Sequence, residues 1–227
     1  MSIAENILYF DEQLRNTPCR LVAVSKTHPV GKILEAYEAG HRLFGENKVQ
    51  ELLEKHDKLP HDIAWHLIGH LQTNKVKYIA AFIDTIQSVD SLKLLQEINK
   101  RAEMFGRTLP INCMLQLSIA DEETKFGMSY DEAVALLQSE EYRQMTYISI
   151  TGVMGIATNT KDERKLRQEF IYLRACFQNL KDTFFIAKDS FKEISMGMTS
   201  DWQLAVAEGS TMIRVGSGIF GARNYNR

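Results

Sequence analysis

The sequence predicts an α/β protein folded as a single (β/α)8 TIM barrel with an extra N-terminal helix, and three observations lead to this prediction. About eight short apolar runs are each followed by an amphipathic helix or a helical turn, at spacings of roughly 20 to 40 residues. The length of 227 residues suits one domain with a sizeable core. No linker rich in Pro, Gly or Ser interrupts the chain, so residues 1–227 are expected to form one domain. A doubly wound open sheet uses the same alternation and is the second candidate.

In the first half of the chain, each element follows from the local pattern. Apolar residues at helical spacing predict a helix over 2–16, ahead of a first strand at 21–24. Gly40 ends a helix that begins at Val30, and Pro60 follows another that begins at Lys48. The other predicted elements of this half are strands at 41–44, 63–68 and 82–89, and helices at 73–81 and 90–105.

The second half continues the alternation. Ser129 is the predicted N-cap of a helix that runs to Leu137. The charged segment 161–180 is predicted to be a long helix because its apolar residues recur at helical spacing. The other predicted elements of this half are strands at 111–117, 147–154, 191–196 and 211–215, a helix at 201–208, and a short final helix from Ser217.

Composition narrows the function. The chain has 27 basic and 29 acidic residues, a net charge of −2, so no basic excess points to nucleic acid or an anionic membrane. No apolar run is long enough to span a bilayer, and the N-terminus lacks the basic start of a signal peptide. The three cysteines, Cys19, Cys113 and Cys176, lie far apart and form no C-x-x-C pair. This usage predicts a reduced, cytoplasmic protein.

Lys26 is the first candidate for chemistry. It comes directly after the buried strand at 21–24, and in a parallel barrel the C-terminal ends of the strands carry the functional site. A lysine whose stem is held by a buried strand can have a lowered pKa, which suits Schiff-base formation with a carbonyl compound. A solvated loop lysine is the plainer alternative.

A glycine-rich segment, GSGIFG at 216–221, follows the last predicted strand. It matches G-x-G-x-x-G, but too few residues follow for a dinucleotide-binding unit. Its bare N–H groups can still hold an anion, and the loops after the last two barrel strands are the usual phosphate site. Two tight turns are the alternative. Because strand eight closes against strand one, Lys26 should neighbour Gly216 and Gly218, an arrangement that fits an aldehyde carrying a phosphate: pyridoxal 5′-phosphate (PLP) or a sugar phosphate.

Several motifs resemble one family. They are AVSK at 23–26, FGEN at 44–47, WHLIGHLQTNK at 65–75, SMGMTSD at 195–201 and RVGSGIFG at 214–221. Together they resemble the YggS/PROSC family of pyridoxal phosphate homeostasis proteins, in order and over nearly the whole chain. The resemblance implies a barrel like the N-terminal domain of fold-type III PLP enzymes such as alanine racemase, with PLP held as a Schiff base on Lys26.

The resemblance also implies roles for other residues. Arg214 resembles the arginine that faces the pyridine nitrogen, and Asn47 resembles the asparagine beside the cofactor. Lys125 resembles a second lysine near the site, suited to cofactor transfer. His28, Lys48 and Thr199 depart from the residues usual in the family. Phosphate contacts are implied for Thr199, Gly216 and Ser217, and packing against the ring for Met196 and Met198, with a plain core position as the alternative.

Arg214 argues against catalysis of the common PLP reactions. PLP is the strongest electron sink when its ring nitrogen is protonated, and an always-charged guanidinium disfavours that proton. We therefore expect a PLP carrier or buffer, not an enzyme, with PLP-dependent apoenzymes as transient recipients and the protein itself a monomer. The alternative is a fold-type III enzyme such as an amino-acid racemase, although the second domain of those enzymes has no counterpart in this sequence. A sugar-phosphate aldolase has no further support.

His66 and His70 lack the glutamate of the H-E-x-x-H zinc motif, and no metal is expected.

Overall fold

The computed structural model describes residues 1–120 and 127–222, and its strands close into a parallel barrel in the order β1 to β8. β1 pairs in parallel with β8, with Val22 opposite Arg214 and Ala23 opposite Val215. This pairing confirms the (β/α)8 barrel and rules out the open sheet, while the one-domain organisation stays a prediction. The strands are β1 (Arg20–Val24), β2 (Leu43–Glu46), β3 (Ala64–Leu67), β4 (Thr85–Val89), β5 (Ile111–Leu117), β6 (Ile148–Gly155), β7 (Glu193–Met198) and β8 (Met212–Val215).

Helices or helical turns connect the strands, and a 3-10 helix (Thr73–Lys75) precedes α4. None of the helices in the described ranges combines the length and apolar character needed to cross a bilayer. The helices are α1 (Ile3–Leu14), α2 (Val30–Glu38), α3 (Val49–His56), α4 (Val76–Ile79), α5 (Leu92–Met104), α6 (Tyr130–Gln138), α7 (Glu140–Arg143), α8 (Glu163–Phe184), α9 (Trp202–Ala207) and α10 (Ser217–Phe220).

The extra N-terminal helix, α1, supports the end of the chain. Ser2 and Glu5 form a reciprocal capping box, which satisfies backbone donors at the helix start. Asn6 Nδ2 donates to the carbonyl of Ile219 at 2.9 Å, so α1 is tied to α10. Phe10 packs edge-to-face with Trp202 at 5.6 Å. The helix therefore braces α9 and α10, which follow β7 and β8.

The structure corrects two strand boundaries that matter for function. β2 was predicted at 41–44 but spans Leu43–Glu46, because Gly45 lies in the strand interior. A Cβ at Gly45 would lie 2.9 Å from Val22 Cγ1, so the tight packing requires glycine there. β7 runs on to Met198 through Gly197, whose φ of 93° favours glycine and coincides with a register shift against β8. Glycine signals a turn in sequence, and here it lies inside strands.

Polar side chains fill the middle of the barrel interior. Gln87, His66, Ser195 and Arg214 are each 5% exposed or less and bond to one another across strands. The continuous apolar core lies outside this layer, between the strands and the helices, and includes Met196. Buried polar groups in a barrel must satisfy one another, and this layer extends up to the predicted site.

Candidate functional site

The C-terminal ends of the strands meet at one mouth of the barrel, where most predicted site residues lie. Lys26 follows β1 and is half-buried. Asn47 follows β2, and its backbone carbonyl lies 2.4 Å from where a Cβ at Gly69 would be. Thr199 follows β7, and Gly216 and Ser217 follow β8 at the start of α10.

The backbone around Lys26 is held in an unusual conformation. Thr27 has φ of 66°, a left-handed conformation that is unfavourable for a β-branched residue. The Thr27 N–H donates to the Glu51 carboxylate, and the His28 N–H donates to the Ser25 carbonyl at 3.1 Å. The Ser25 N–H donates to Gly45 across the β1–β2 pair at 3.1 Å. The turn that carries Lys26 is therefore fixed from both sides.

A buried ion cluster lies beneath this turn. Lys55 Nζ donates to Glu46 Oε1 at 2.6 Å, to Glu51 Oε1 at 2.7 Å and to the Ser25 carbonyl at 2.8 Å, which uses all three ammonium protons. The Ser25 hydroxyl also donates to Glu46 Oε1, at 2.6 Å. Burial raises the pKa of Glu46 to about 7, against the opposing effect of Lys55. Within the described chain, Glu46 Oε2 has no hydrogen-bond partner.

Arg214 lies on β8, the strand that pairs with β1 on the side away from β2. Its Nη1 donates to Ser195 Oγ at 2.6 Å and its Nη2 to the carbonyl of Gly155 at 2.9 Å. The residue is 5% exposed. Burial lowers the pKa of Arg214 to about 10, and the charge of Asp201 partly offsets this. Arg214 therefore enters the barrel interior as a buried cation bonded to neutral acceptors among the described residues.

The loops after β7 and β8 touch one another. The Gly216 N–H donates to Thr199 Oγ1 at 3.4 Å, and a Cβ at Gly218 would lie 3.2 Å from Thr199 Cγ2. A Cβ at Gly216 would lie 3.3 Å from the Val24 carbonyl, which brings this loop to the end of β1. The predicted proximity of the glycine-rich segment to the strand that precedes Lys26 is thus confirmed.

Asp201 fixes the loop after β7. Its Oδ1 accepts from the Met198 N–H at 2.6 Å, and the side chain is buried. Burial raises the pKa of Asp201, while this hydrogen bond and the charge of Arg214 lower it. Asp201 thereby holds the loop that carries Thr199 and supplies a negative charge near Arg214.

Two predicted residues are not brought into this cluster. Met196 is fully buried and belongs to the core between strands and helices, whereas its neighbour Ser195 faces the barrel interior. Side chains alternate along a strand, so Met196 faces away from Arg214. Met198 is 36% exposed at the rim. Lys125 lies outside the described residues.

The two histidines of the 65–75 motif lie in different places. His66 is 2% exposed inside the barrel, and His70 Nδ1 lies 3.1 Å from Asp90 Oδ2 in the loop after β3. Over residues 1–120 and 127–222, no group of three or more His, Cys, Asp or Glu side chains could hold a metal ion.

Sequence reasoning missed five residues that shape the mouth. One pair had a signal, because Glu51 and Lys55 stand four apart on a predicted helix, a spacing typical of ion pairs. The others are Glu46, Ser195 and Asp201, which stand within the motifs FGEN and SMGMTSD. Glu46 and Ser195 bond to side chains on other elements, and Asp201 accepts from the Met198 N–H in its own loop, so the motifs alone did not show these contacts.

A family model described as the N-terminal domain of alanine racemase matches residues 1–224. The fold thus belongs to the class of alanine racemase N-terminal domains, as its closed parallel barrel indicates.

Relatives identify the family within that class. The pyridoxal phosphate homeostasis protein of Pasteurella multocida is 35% identical over 99% of this chain and 96% of its own length. The human pyridoxal phosphate homeostasis protein is 37% identical over 92% of this chain and 78% of its own length. The structure of PipY from Synechococcus elongatus, solved with PLP bound, has a TM-score of 0.86 at 37% identity and covers 97% of this chain and 100% of that one. This chain belongs to the family of pyridoxal phosphate homeostasis proteins.

Proposed function

We propose that this protein binds PLP as a Schiff base on Lys26 and carries or buffers the cofactor. The observation that carries the proposal is the mouth of the barrel, where Lys26 follows β1, Arg214 lies on the adjoining β8, and the glycine-rich loop reaches the end of β1. Lys26 would hold PLP through a C=N bond between its amine and the aldehyde carbon of the cofactor, formed with release of water. PipY, a relative at 37% identity, has been solved with PLP bound.

The residues present fit the cofactor. A buried guanidinium bonded to neutral acceptors contributes little to stability, because no carboxylate among residues 1–120 and 127–222 hydrogen-bonds to it. It suits an acceptor such as a pyridine nitrogen, toward which Arg214 can donate. The N–H groups of Ser217 and Gly218 precede the first backbone hydrogen bond of α10, which Ile219 donates to the Gly216 carbonyl, and the Thr199 hydroxyl lies beside them. Those donors suit a phosphate dianion, and Asn47 at the same mouth is proposed to lie beside the cofactor.

The proposed activity is carriage of the cofactor and not catalytic turnover of a substrate. When bound, PLP supplies an electron sink, and that sink is weakened unless its ring nitrogen carries a proton. Arg214 stays cationic at neutral pH even though burial lowers its pKa to about 10, so it cannot accept that proton and disfavours it. The names of the relatives describe homeostasis, which is consistent with this assignment.

The recipients of the cofactor would be PLP-dependent apoenzymes, and the protein would act as a monomer in the cytoplasm. Cys19, Cys113 and Cys176 are buried free thiols, as suits a reduced compartment. We propose Lys125 as a second lysine that assists transfer.

An absorption spectrum of the PLP-loaded protein tests the binding proposal. The wild type should show the band of a protonated Schiff base, and Lys26→Ala should lose it. Lys48→Ala is the matched control, since Lys48 is an exposed lysine that follows β2 at the same mouth. An unchanged band in Lys26→Ala would contradict the assignment, and a residual weaker band that disappears in a Lys26→Ala, Lys125→Ala double variant would locate a second site.

Incubation in deuterium oxide tests the absence of turnover. Racemisation requires a base on each face of the amino acid, and loss of one acid–base partner alone reduces rates by about 10²–10⁴-fold. The holo-protein is expected to give negligible α-deuteration and no opposite enantiomer with the common amino acids. Turnover of about 1 s⁻¹ or more, inside the ordinary range of enzymes, would favour the racemase instead.

A further inference from the structure

A chain of hydrogen bonds runs through the barrel from Arg214 to the opposite end. Arg214 Nη1 donates to Ser195 Oγ at 2.6 Å, and the Ser195 hydroxyl donates to Gln87 Oε1 at 2.7 Å. Gln87 Nε2 lies 2.7 Å from His66 Nδ1, and His66 Nε2 lies 3.3 Å from Asp84 Oδ2. We call this series the relay. Its first four members lie on β8, β7, β4 and β3, in that order, and Asp84 is the residue just before β4.

Every link of the relay donates in the same direction. Because the Gln87 carbonyl accepts from Ser195, its amide nitrogen is the donor to His66. His66 Nδ1 is then an acceptor, and the ring proton lies on Nε2, facing the Asp84 carboxylate. The partners that fix the tautomer of His66 are thus connected to those that orient Arg214.

Burial makes the relay sensitive to each member. Ser195 and Gln87 are 0% exposed, His66 is 2% exposed and Arg214 is 5% exposed, so solvent does not replace a lost bond. In such surroundings hydrogen bonds are stronger, and a group left without its partner is correspondingly costly. Reversing one donor would oblige its neighbours to reverse, and the guanidinium cannot accept.

The relay ends where solvent reaches the barrel. The Asp84 side chain is 44% exposed and lines a cavity of about 720 Å³ at the end opposite Lys26. The charged groups that face His66 are Asp84, Arg20 and Glu193, and Arg20 pairs with Glu193 at 2.8 Å. Burial lowers the pKa of His66, against the effect of Asp84, and a ring that accepts from Gln87 at Nδ1 carries no proton there.

We propose that His66 and Gln87 are positioning residues, which hold the Arg214 guanidinium in place for the ring nitrogen of PLP and transmit occupancy of the site to Asp84. This rests on the proposed function, because it takes Arg214 as the partner of that nitrogen. A purely structural role would stabilise the fold but would not link the cofactor to a histidine at the far end of the relay.

The test follows the ring nitrogens of His66 by nitrogen-15 NMR in the full chain, before and after loading with PLP. Loading should shift the His66 signals. His41 is the internal control. It lies just before β2 and is outside the relay, and its Nε2 lies 2.8 Å from the Leu43 carbonyl. Its signals should not move.

Two variants locate the connection. Ser195→Ala removes the link next to Arg214, so His66 should no longer respond although the Schiff-base band still forms, and PLP affinity should fall about threefold to tenfold. Glu193→Gln is the matched control, in the same cavity but outside the relay, and should retain the response. If Ser195→Ala does not fold, Asp84→Asn at the exposed end replaces it and should weaken PLP binding about threefold.

The outcomes separate this inference from the proposed function. A Schiff-base band with no response at His66, or an equal response in wild type and Ser195→Ala, would overturn the relay alone. The relay would also be overturned if Asp84→Asn weakened PLP binding no more than Glu193→Gln does. Absence of the band from the wild type would overturn the proposed function and, with it, the relay.

Discussion

The two walls of the barrel mouth bury charge in opposite ways. On the β1–β2 wall, Lys55 lies against the carboxylates of Glu46 and Glu51, so the cation and the anions compensate one another. On the β7–β8 wall, Arg214 donates to a hydroxyl and a backbone carbonyl, while Asp201, whose charge reaches it, bonds to the backbone of its own loop.

The difference indicates what each wall is for. The Lys55 cluster bonds to Ser25 and, through Glu51, to Thr27, so its charges fix the backbone on both sides of Lys26. Arg214 instead retains a burial penalty, because a pKa lowered from 12.5 to about 10 corresponds to roughly 3 kcal/mol. Such a penalty persists where the charge serves binding and not stability.

Breaking the β1–β2 wall should have the largest effect on stability. Lys55→Met removes the cation from a buried cluster and leaves Glu46 uncompensated, so the free energy of unfolding should fall by about 3–5 kcal/mol. Chemical denaturation measures this. Lys48→Met, at the exposed N-cap of the same helix, should change the value by less than about 0.5 kcal/mol. A loss below about 1 kcal/mol for Lys55→Met would contradict the role of the cluster.

The same wall should give a pH dependence. Burial raises the pKa of Glu46 from 4.5 to about 7, so between these pH values the folded protein binds a proton that the unfolded chain releases. The contribution of this group therefore makes the protein less stable as pH rises from about 4.5 to about 7, by up to roughly 3 kcal/mol.

Glu46→Gln sharpens that measurement, because the amide has no proton to exchange. The difference in unfolding free energy between wild type and variant, followed from pH 4.5 to 7, should shift steadily in favour of the variant. A difference that stays flat over this range would show that Glu46 has an ordinary pKa.

The β7–β8 wall should affect binding of the phosphate. Thr199→Val removes a hydroxyl beside the Gly216 N–H, and a hydrogen bond to a charged group contributes about 1.5–3 kcal/mol. PLP should bind about tenfold or more weakly, whereas pyridoxal, which lacks the phosphate, should bind the variant and the wild type equally. Fluorescence titration with both vitamers checks this, and an equal loss for both would place Thr199 away from the phosphate.

Removing the buried cation of the β7–β8 wall should have the smallest effect on stability. Arg214→Met takes donors away from Ser195 Oγ and the Gly155 carbonyl but also removes the desolvation cost of a buried cation, so the free energy of unfolding should fall by less than about 1 kcal/mol or increase. The variant should nevertheless bind PLP more weakly. A loss as large as that of Lys55→Met would erase the contrast between the two walls.

Sequence pattern predicted the fold and the nearness of the two functional segments, since both follow from strand alternation and from closure of β8 on β1. Lys26 stood out because an apolar run ends just before it. Glu46 did not, because Gly45 suggested a loop where packing against Val22 permits a strand. Ser195 gains its partner, Arg214, only on the neighbouring strand, across a shifted register that local pattern does not encode.

The most direct test of the account is to reduce the PLP-loaded protein with borohydride and map the modified peptide by mass spectrometry. Reduction converts the C=N bond to a stable secondary amine, so the pyridoxyl group remains on the lysine that held the cofactor. We predict that the adduct lies on Lys26, within the turn fixed by Glu51 and Lys55. An adduct found chiefly on Lys125 or on any other lysine, or no adduct at all, would contradict the assignment of Lys26 as the cofactor lysine.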